Sequence, residues 1–240
     1  MLLQLVAARA DPVSVSDVAA ALGVAKSSAH ALLRTLTDVG FLDQDAETGR
    51  YLMGAGARRL AHGPIDPNLL RSLTTNLVDA LAARSGESAY IGVLRGQQVE
   101  VVHHVFRPDD TRQRLEVGER REAQTTALGQ VLLAFDPAGP AVVRSLAPPA
   151  PTLTGVDPAG LRDRLDGVHH QHWACVVSEP SHRAGIAAPL RGRGGIVVAA
   201  VGLVGDVDLV VDSGGRPRPV LLAHVQVAAA AITAELVASL

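Results

Sequence analysis

Cysteine and aromatic residues are scarce in this sequence of 240 residues. Its single cysteine, Cys175, excludes an internal disulfide framework and a zinc site built on cysteines, and it agrees with a reduced, intracellular setting. Aromatic residues make up 2% of the chain against 48% hydrophobic residues, so the core must be mainly aliphatic. The formal net charge of −2 excludes attraction of nucleic acid by overall charge, so any surface that binds nucleic acid must be local.

Long hydrophobic runs are also missing from the sequence. Residues 196–204 have the length of a strand rather than of a membrane span. Residues 1–5 lack the basic start and the long apolar segment of a signal peptide. We therefore expect a cytoplasmic protein without a membrane partner.

Residues 13–53 have the pattern of a winged helix-turn-helix. Ser14, with an acidic residue three positions later, opens an alanine-rich helix that Gly23 ends. A second helix follows over residues 26–36, and two short β segments with a turn between them occupy residues 41–53. This order of elements places a helix in the DNA major groove and a wing beside it.

The second helix has one apolar and one polar face. At about 100° per residue, Ala29, Leu32, Leu33 and Leu36 share an arc that can dock on a helical core. The opposite face carries small, basic and hydrogen-bonding side chains, which can contact phosphates and base edges. For this helix taken alone, an ordinary solvated face is the alternative. The residues that we predict to contact DNA are Lys26, Ser27, Ser28, His30 and Arg34, with Arg50 on a phosphate near the wing.

A further helix begins after this region. Asp66 is suited to cap it, with Pro67 at its first position, and the helical pattern continues to about residue 85. A leucine stripe along it can pack either on its own domain or on a partner's copy. The stripe consists of Leu70, Leu73, Leu77 and Leu81.

Beyond residue 86 the pattern indicates strands flanked by helices. Strands are expected at residues 89–94, 99–106, 112–117, 173–177, 184–190 and 196–204, and helices at 126–135, 137–146, 158–169 and 219–240. This arrangement describes one α/β domain with a mainly antiparallel sheet. The predicted divisions are therefore a DNA-binding domain over residues 1–63, a linker helix over 64–85 and a final domain over 86–240.

The sequence resembles the IclR family of bacterial transcriptional regulators over nearly its whole length. In the N-terminal part the resemblance rests on residues 25–36 and on Gly40 with residues 51–54. In the C-terminal part it rests on residues 117–118 and 126–134, on the Ile-Ala-Ala-Pro segment at 186–189, and on residues 204–205. The order and spacing of these segments together carry the resemblance.

The resemblance implies an α+β protein with a winged helix-turn-helix domain, a linker helix and a GAF-like effector domain. A protein of this kind is expected to bind a double-stranded DNA operator as a homodimer or homotetramer. It is expected to repress a catabolic operon under the control of a small organic acid. No cofactor and no catalytic activity are implied.

Compared with the residue pattern of this family, the expected effector pocket lacks several polar side chains. Gly185 stands where a cysteine often precedes the Ile-Ala-Ala-Pro segment, and Gly202 and Val204 stand at serine-like positions. Because buried polar groups discriminate between polar ligands, their loss predicts a roomier, more apolar pocket. A larger or aromatic acid is then favoured over an acid of two or three carbons.

We predict that this pocket lies beside the start of the helix at residue 126. Unpaired amides at a helix N-terminus can bind a carboxylate, although a simple capped core helix is an equal alternative. Glu179 is a candidate acceptor for a ligand hydroxyl or amine, with a solvated loop carboxylate as its alternative. The other predicted lining residues are Thr126, Ala127, Gly129, Gly185 and Gly202.

A metal site and a catalytic thiol are two further candidates, and the residue pattern disfavours both. Adjacent histidines such as His103 and His104 point to opposite faces of a strand, and no carboxylate or cysteine completes a metal set beside residues 169–172. Cys175 lies in an expected buried strand, where a small core residue is the default. The alternative function is a GAF-like sensor or thiol enzyme whose vestigial winged helix serves protein contacts. Specific, salt-sensitive DNA binding separates the two hypotheses.

Overall fold

The computed structural model describes residues 2–9, 11–54, 56–57, 65–137, 139, 158–178 and 181–239. The chain forms two compact units, Met1–Pro64 and Ile65–Leu240. Most of the predicted helix at residues 137–146, and Glu179, lie outside the described residues. The predicted separation of residues 64–85 as a linker stays a prediction, because compactness alone does not define a linker.

The described residues of the first unit form helices and a hairpin. The elements are α1 (Leu2–Ala7), α2 (Val15–Leu22), α3 (Lys26–Asp38), β1 (Leu42–Gln44) and β2 (Tyr51–Met53), with β1 and β2 antiparallel. The capping box predicted at α2 is present: the backbone amide of Asp17 donates to Ser14 Oγ, and the amide of Ser14 donates to Asp17 Oδ2. Gly23 adopts φ 67°, which ends α2 in the left-handed conformation.

The core of the first unit is small and almost entirely aliphatic. Ala29 and Leu33 of α3 are fully buried in it, as the helical pattern predicts. Leu32, which was expected to join them, is 46% exposed. It lies about 60° around the helix from Ala29, on the side away from Leu33, and so falls at the edge of the buried arc.

The second unit is built on one antiparallel sheet of six strands, in the order β5-β4-β3-β8-β7-β6. Its strands are β3 (Ser88–Arg95), β4 (Gln98–Val105), β5 (Arg120–Glu122), β6 (Ala174–Ser178), β7 (Arg183–Arg191) and β8 (Val197–Asp206). Its helices are α4 (Pro67–Ser85), α5 (Ala127–Phe135), α6 (Pro158–Gln171), α7 (Val207–Val210) and α8 (Pro219–Ser239). The mainly antiparallel sheet expected from the sequence is confirmed.

The strand predicted at residues 112–117 is wrong. This segment belongs to a loop, and the third strand of the second unit is β5. Side chains hold the loop in place of a ladder: Gln113 Oε1 accepts from the backbone amide of Arg107 at 3.0 Å and from Ser88 Oγ at 3.2 Å. Its amide nitrogen donates to the carbonyl of Arg107 at 3.0 Å, so one side chain closes the loop on itself.

The two faces of the sheet are covered by different helices. Helices α4 and α8 pack on one face, over a core that includes Ile91, Ile186 and Leu203. Helix α5 packs on the other face, around Tyr90 and Ala187, and α6 packs against α5. Because side chains alternate along a strand, β3, β7 and β8 serve both cores.

The leucine stripe of α4 faces the core of its own unit. Leu70 and Leu81 are buried there, and Leu73 and Leu77 pack against the same cluster. Of the two uses that the sequence left open, the stripe therefore serves its own domain. It is not a free surface for a partner.

Helix α8 is long and apolar enough to cross a membrane by length and composition, contrary to the expectation that no segment approaches a span. It is the single such helix among the described residues. Val225, Ile232 and Leu236 are fully buried against the rest of the second unit. The apolar side chains on this side of α8 are therefore part of the protein core.

Candidate functional site

Helix α3 presents its polar side chains away from the core of the first unit. Ala29 and Leu33 anchor the helix, because both are fully buried. The predicted DNA-contacting residues of the helix are all exposed on its outer surface: Lys26, Ser27, Ser28, His30 and Arg34. This arrangement leaves two basic and three further hydrogen-bonding side chains free to approach a groove.

The candidate wing is the hairpin of β1 and β2. It packs beside α3 and is more acidic than that helix. Arg50 is exposed at the base of β2, where its Nη1 donates to the carbonyl of Pro12 at 3.2 Å. At the hairpin tip, Asp45 Oδ1 accepts from the backbone amide and the hydroxyl of Thr48 and from the backbone amide of Glu47, and these hydrogen bonds lower the pKa of Asp45. Negative charge at the tip opposes contact with phosphates, so Arg50 is the wing residue suited to that contact.

The second unit contains a cavity of about 500 Å³ on the α5 face of its sheet. Its floor consists of residues from β3, β4, β6, β7 and β8. The loop before β5, Arg121 of β5 and the start of α5 form its walls. Its volume is in the range of small-molecule sites.

The cavity brings together half of the predicted effector residues. Thr126, Ala127 and Gly185 line it. Gly202 instead lines an adjoining cavity of about 40 Å³. Gly129 lines neither of these two cavities, and Glu179 lies outside the described residues.

Close packing explains the two glycines that the main cavity does not use. A Cβ on Gly129 would lie 2.1 Å from the carbonyl oxygen of Ala123, and one on Gly202 would lie 2.4 Å from that of Ile186. The amide of Gly129 also donates to Thr126 Oγ1 at 3.0 Å, so this helix-terminal donor is occupied. Both positions require glycine for backbone approach, and their assignment to the ligand stays a prediction.

The cavity lining mixes polar and apolar groups in similar measure, so the expectation of a more apolar pocket stays a prediction. Hydroxyl groups of serine, threonine and tyrosine line much of the cavity, together with His104 and Glu116. Five arginines also line the cavity: Arg107, Arg112, Arg114, Arg121 and Arg183. Most of the charged lining therefore comes from the segment at residues 107–121. The apolar lining of the cavity comes mainly from Ala127, Val176, Ala184 and Val204.

His104 and Tyr90 form a stacked pair on the cavity floor. Their ring centroids lie 4.3 Å apart and their planes differ by 9°. The backbone amide of Glu116 donates to His104 Nδ1 at 3.2 Å, and burial lowers the pKa of His104. The ring is therefore neutral near pH 7, with its hydrogen on Nε2. Burial also raises the pKa of Tyr90 to about 12, so its hydroxyl stays protonated.

Ion pairs occupy three of the five arginines. Arg121 Nη2 lies 2.7 Å from Glu116 Oε2 and 3.3 Å from Glu119 Oε2. Arg114 lies 2.8 Å from Glu119, and Arg107 contacts the carboxylate of Asp109. Of the remaining two, Arg183 donates from Nη2 to the carbonyl of Val204 at 3.0 Å.

Sequence reasoning missed these arginines, although a signal was present. Residues 107–121 contain five arginines within 15 positions, in a segment that we interpreted partly as a strand. Arg183 carries no comparable local signal, because its contribution depends on β7 lying beside β8.

Catalytic and metal chemistry find little support in the described part of the chain. Cys175 packs with the α4 and α8 core, on the face away from the cavity, and burial raises the pKa of its thiol to about 11. A thiol with so high a pKa is a poor nucleophile at pH 7. Among the described residues, no group of three histidine, cysteine or acidic side chains could hold a metal ion.

Models of known protein families match the sequences of both units. The profile of the IclR helix-turn-helix domain matches residues 1–46, and that of the bacterial transcriptional regulator IclR C-terminal domain matches residues 65–234. The chain belongs to the IclR family of bacterial transcriptional regulators. It is thus a DNA-binding regulator and not an enzyme, which removes the alternative of a thiol enzyme.

Within the IclR family, the chain is similar to two glycerol operon regulatory proteins. It is 39% identical to that of Streptomyces griseus over 239 residues, which are 98% of this chain and 93% of the relative. It is 40% identical to that of Streptomyces coelicolor over 237 residues, with the same shares of both chains.

Solved structures of IclR proteins share the fold. An IclR homolog from Microbacterium hydrocarbonoxydans, complexed with 4-hydroxybenzoate, has a TM-score of 0.62 at 23% identity, covering 99% of this chain and 97% of its own. The IclR of Thermotoga maritima has a TM-score of 0.59 at 18% identity, covering 98% and 95%. At these identities the likeness establishes the fold alone.

Proposed function

We propose that this protein represses an operon for the catabolism of glycerol or a related short polyol, and that a small organic anion bound in the cavity relieves the repression. The similarity to two glycerol operon regulatory proteins over 98% of the chain carries this proposal. The cavity supports it, because its lining combines hydroxyl groups with arginines, which suits a small oxygen-rich anion.

The DNA contacts in this proposal belong to α3. Lys26 and Arg34 supply positive charge for phosphates or guanine edges, and Ser27, Ser28 and His30 supply hydrogen bonds. Arg50 contacts a phosphate beside the groove. The effector changes operator affinity only by the difference between its affinities for the DNA-binding and the released conformations.

We further propose that the protein works as a cytoplasmic homo-oligomer on a pseudo-palindromic operator. Repeated units raise affinity for DNA where a single domain is nearly neutral, and a twofold protein matches a twofold site. The outer face of α8 is the surface that we assign to pairing with a second copy. Its Val220, Val227 and Val237 are 65%, 57% and 45% exposed.

The spacing of the outer face supports helix pairing. Its exposed apolar positions follow one another at intervals of three and four residues, which is the spacing of a helix-to-helix seam. These positions are Val220, Ala223, Val227, Ala230, Ala234 and Val237. Small residues along such a seam allow two helices to approach closely.

The decisive experiment is footprinting of the full-length protein on its own upstream DNA and on the promoters of neighbouring polyol genes. We expect a protected, pseudo-palindromic site whose affinity falls as salt rises. Extracts of glycerol-grown cells should release the DNA. Failure to find any specific, salt-sensitive site would contradict the proposal.

Sedimentation velocity tests the assembly. Val227→Glu places a charge in the centre of the seam and should shift the oligomer toward smaller species at micromolar concentration. Gln226→Glu adds the same charge at the neighbouring exposed position and is the matched control. A wild-type monomer, or unchanged assembly in Val227→Glu, would overturn the α8 assignment.

A further inference from the structure

Helix α3 is anchored along one side and leaves the opposite side free. Ala29 and Leu33 are fully buried in the core of the first unit, where α3 packs against α2 and β1. At about 100° per residue, Ala31 lies about 160° around the helix from each of these two anchors. Ala31 is exposed, so it lies at the centre of the surface that α3 turns away from its own unit.

The side chains next to Ala31 on this surface are small. Ser27 and Thr35 lie about one turn before and after it, each displaced by about 40° around the helix, and both are exposed. Thr35 Oγ1 donates to the carbonyl of Ala31 at 3.0 Å, so its hydroxyl hydrogen is not available to a base edge. The methyl group of Ala31 is therefore the apolar centre of a narrow face that permits close approach to base pairs.

The charges along α3 indicate which turns lie deepest in a groove. The first turn contains the basic Lys26 and no acidic residue. Asp38, the last residue of the helix, is exposed and lies about 20° around the helix from Ala31, so its carboxylate opposes approach of phosphates at that end. The turns that contain Ser27 and Ala31 are therefore the ones best placed to meet base edges.

An exposed methyl group at this position favours one base over the other three. The side chain of Ala31 has no donor and no acceptor, so a polar base edge opposite it would lose water without gaining a hydrogen bond. Thymine is the one base that presents a methyl group in the major groove, and alanine is among the side chains that contact it. A thymine opposite Ala31 therefore matches the chemistry of the helix centre.

We propose that Ala31 is a specificity-determining residue of this regulator, and that its methyl group contacts the 5-methyl group of a thymine in each half of the operator. The inference rests on the proposed placement of α3 in the major groove and adds a base that this placement selects. Arg34 lies about 4.5 Å from Ala31 along the helix axis, close to the spacing of neighbouring base pairs. We therefore expect the thymine within about two base pairs of a guanine that Arg34 contacts.

Replacement of thymine by uracil tests the contact, because it removes this methyl group and leaves the hydrogen-bonding groups of the base in place. Selection of binding sequences from random duplexes with the full-length protein first gives the operator. Each thymine of one half-site is then replaced by uracil, and affinity is measured by fluorescence anisotropy. We expect one position at which uracil weakens binding about 4-fold, which corresponds to about 0.8 kcal/mol for one buried methyl-sized group. Unchanged affinity with uracil at every thymine would overturn the proposal.

A variant without the protein methyl group tests whether Ala31 is the partner of that thymine. Ala31→Gly should bind the thymine and uracil duplexes equally, even if its affinity for both is lower. Ala20→Gly removes an exposed methyl group from α2 of the same unit and is the matched control, which should keep the preference for thymine. A preference of wild-type size in Ala31→Gly would assign the thymine to another residue and overturn the proposal.

A second variant covers the case in which glycine weakens α3 itself. Glutamine is a strong helix former, and its amide group pairs with the edge of adenine. Selection with Ala31→Gln should therefore change the preferred base at this position from thymine toward adenine. Continued selection of thymine by a folded Ala31→Gln variant would overturn the proposal. Thermal unfolding shows whether each variant is folded before its binding is compared.

The same measurements distinguish the levels of inference. If no specific operator is bound, the proposed function itself fails. If the operator is bound equally well after Lys26→Ala and Arg34→Ala together, the placement of α3 in the groove is wrong. If these two substitutions weaken binding and uracil does not, the role of Ala31 is wrong and the placement of α3 stands.

Discussion

The two units of this regulator carry their functional groups in opposite ways. In the first unit, the candidate groups lie along one helix and point outward, so neighbours in the sequence are neighbours at the site. In the second unit, the cavity collects residues from six strands, from loops and from a helix terminus. Residues nearly 100 positions apart, such as Tyr90 and Arg183, line the same space.

This difference teaches which functional sites local patterns can reveal. Helical periodicity places Arg34 on the face opposite Ala29, with Lys26 on its flank, without any knowledge of tertiary structure. A cavity has no such period, because its lining depends on which strands pair and in which register. The difference between the two units can be tested with substitutions in one unit while the properties of the other unit are measured.

The largest effect is expected on α3. Arg34→Ala should cost about 1–3 kcal/mol of operator-binding free energy if Arg34 contacts a base edge. Adding Lys26→Ala should weaken binding to all sequences and reduce the salt dependence, because a phosphate contact is lost. Footprinting and fluorescence anisotropy measure both effects. Arg9→Ala, at an exposed arginine outside α3, is the control, and an unchanged footprint in the double variant would contradict the helix assignment.

The second prediction compares two glycines of the cavity region. Gly202→Ala should destabilise the second unit by about 1–3 kcal/mol, because the added Cβ would lie 2.4 Å from the carbonyl oxygen of Ile186. Gly185→Ala should be tolerated, since its Cβ would have neighbours at 3.4–3.6 Å. Thermal unfolding measures the difference. Equal stability of the two variants would contradict the close packing at Gly202.

The third prediction returns to the first unit. Ser14→Ala removes the side-chain acceptor at the start of α2 and should cost about 1 kcal/mol of stability. Ser27→Ala, at an exposed serine of α3, is the matched control and should have a smaller effect. Chemical denaturation compares the two variants with the wild type. The capping box would carry no stabilisation if both variants unfolded at the wild-type midpoint.

The smallest effect is a dependence of stability on pH through His104. Burial lowers its pKa below the ordinary value of 6.5, so the unfolded chain takes up this proton before the folded chain does. The contribution of His104 is fully present above pH 6.5 and declines as the pH falls toward the pKa of the folded state. Burial lowers the pKa of His103 as well, so its contribution has the same sign.

Comparison with a His104→Gln variant isolates this contribution. The raised pKa of Glu87 acts in the opposite direction, stabilising the fold as the pH falls, and it is common to both proteins. Thermal unfolding between pH 7.5 and 5.5 should therefore show a steeper loss in the wild type than in the variant. An equal loss in both would show that His104 is not held neutral by burial.

Several elements follow directly from local patterns. The cap at Ser14, the glycine stop at Gly23 and the helix at Pro67–Ser85 each depend on signals within a few positions. The exposure of Leu32 and the loop at residues 112–117 differ from their predictions, because neighbouring elements decide burial and pairing there. The same holds for the leucine stripe of α4, whose destination is set by the sheet on which it packs.

The sequence by itself determined the architecture of the first unit, the antiparallel character of the sheet and the outward face of α3. These features arise from periodicity, capping and turn residues, which act over short distances along the chain. Only the tertiary structure decided that the cavity is cationic, that Gly129 and Gly202 serve packing, and that Arg183 shares a site with His104. The burial of these residues and the charge balance of the cavity depend on which side chains come into contact across the sheet. Strand pairing determines those contacts.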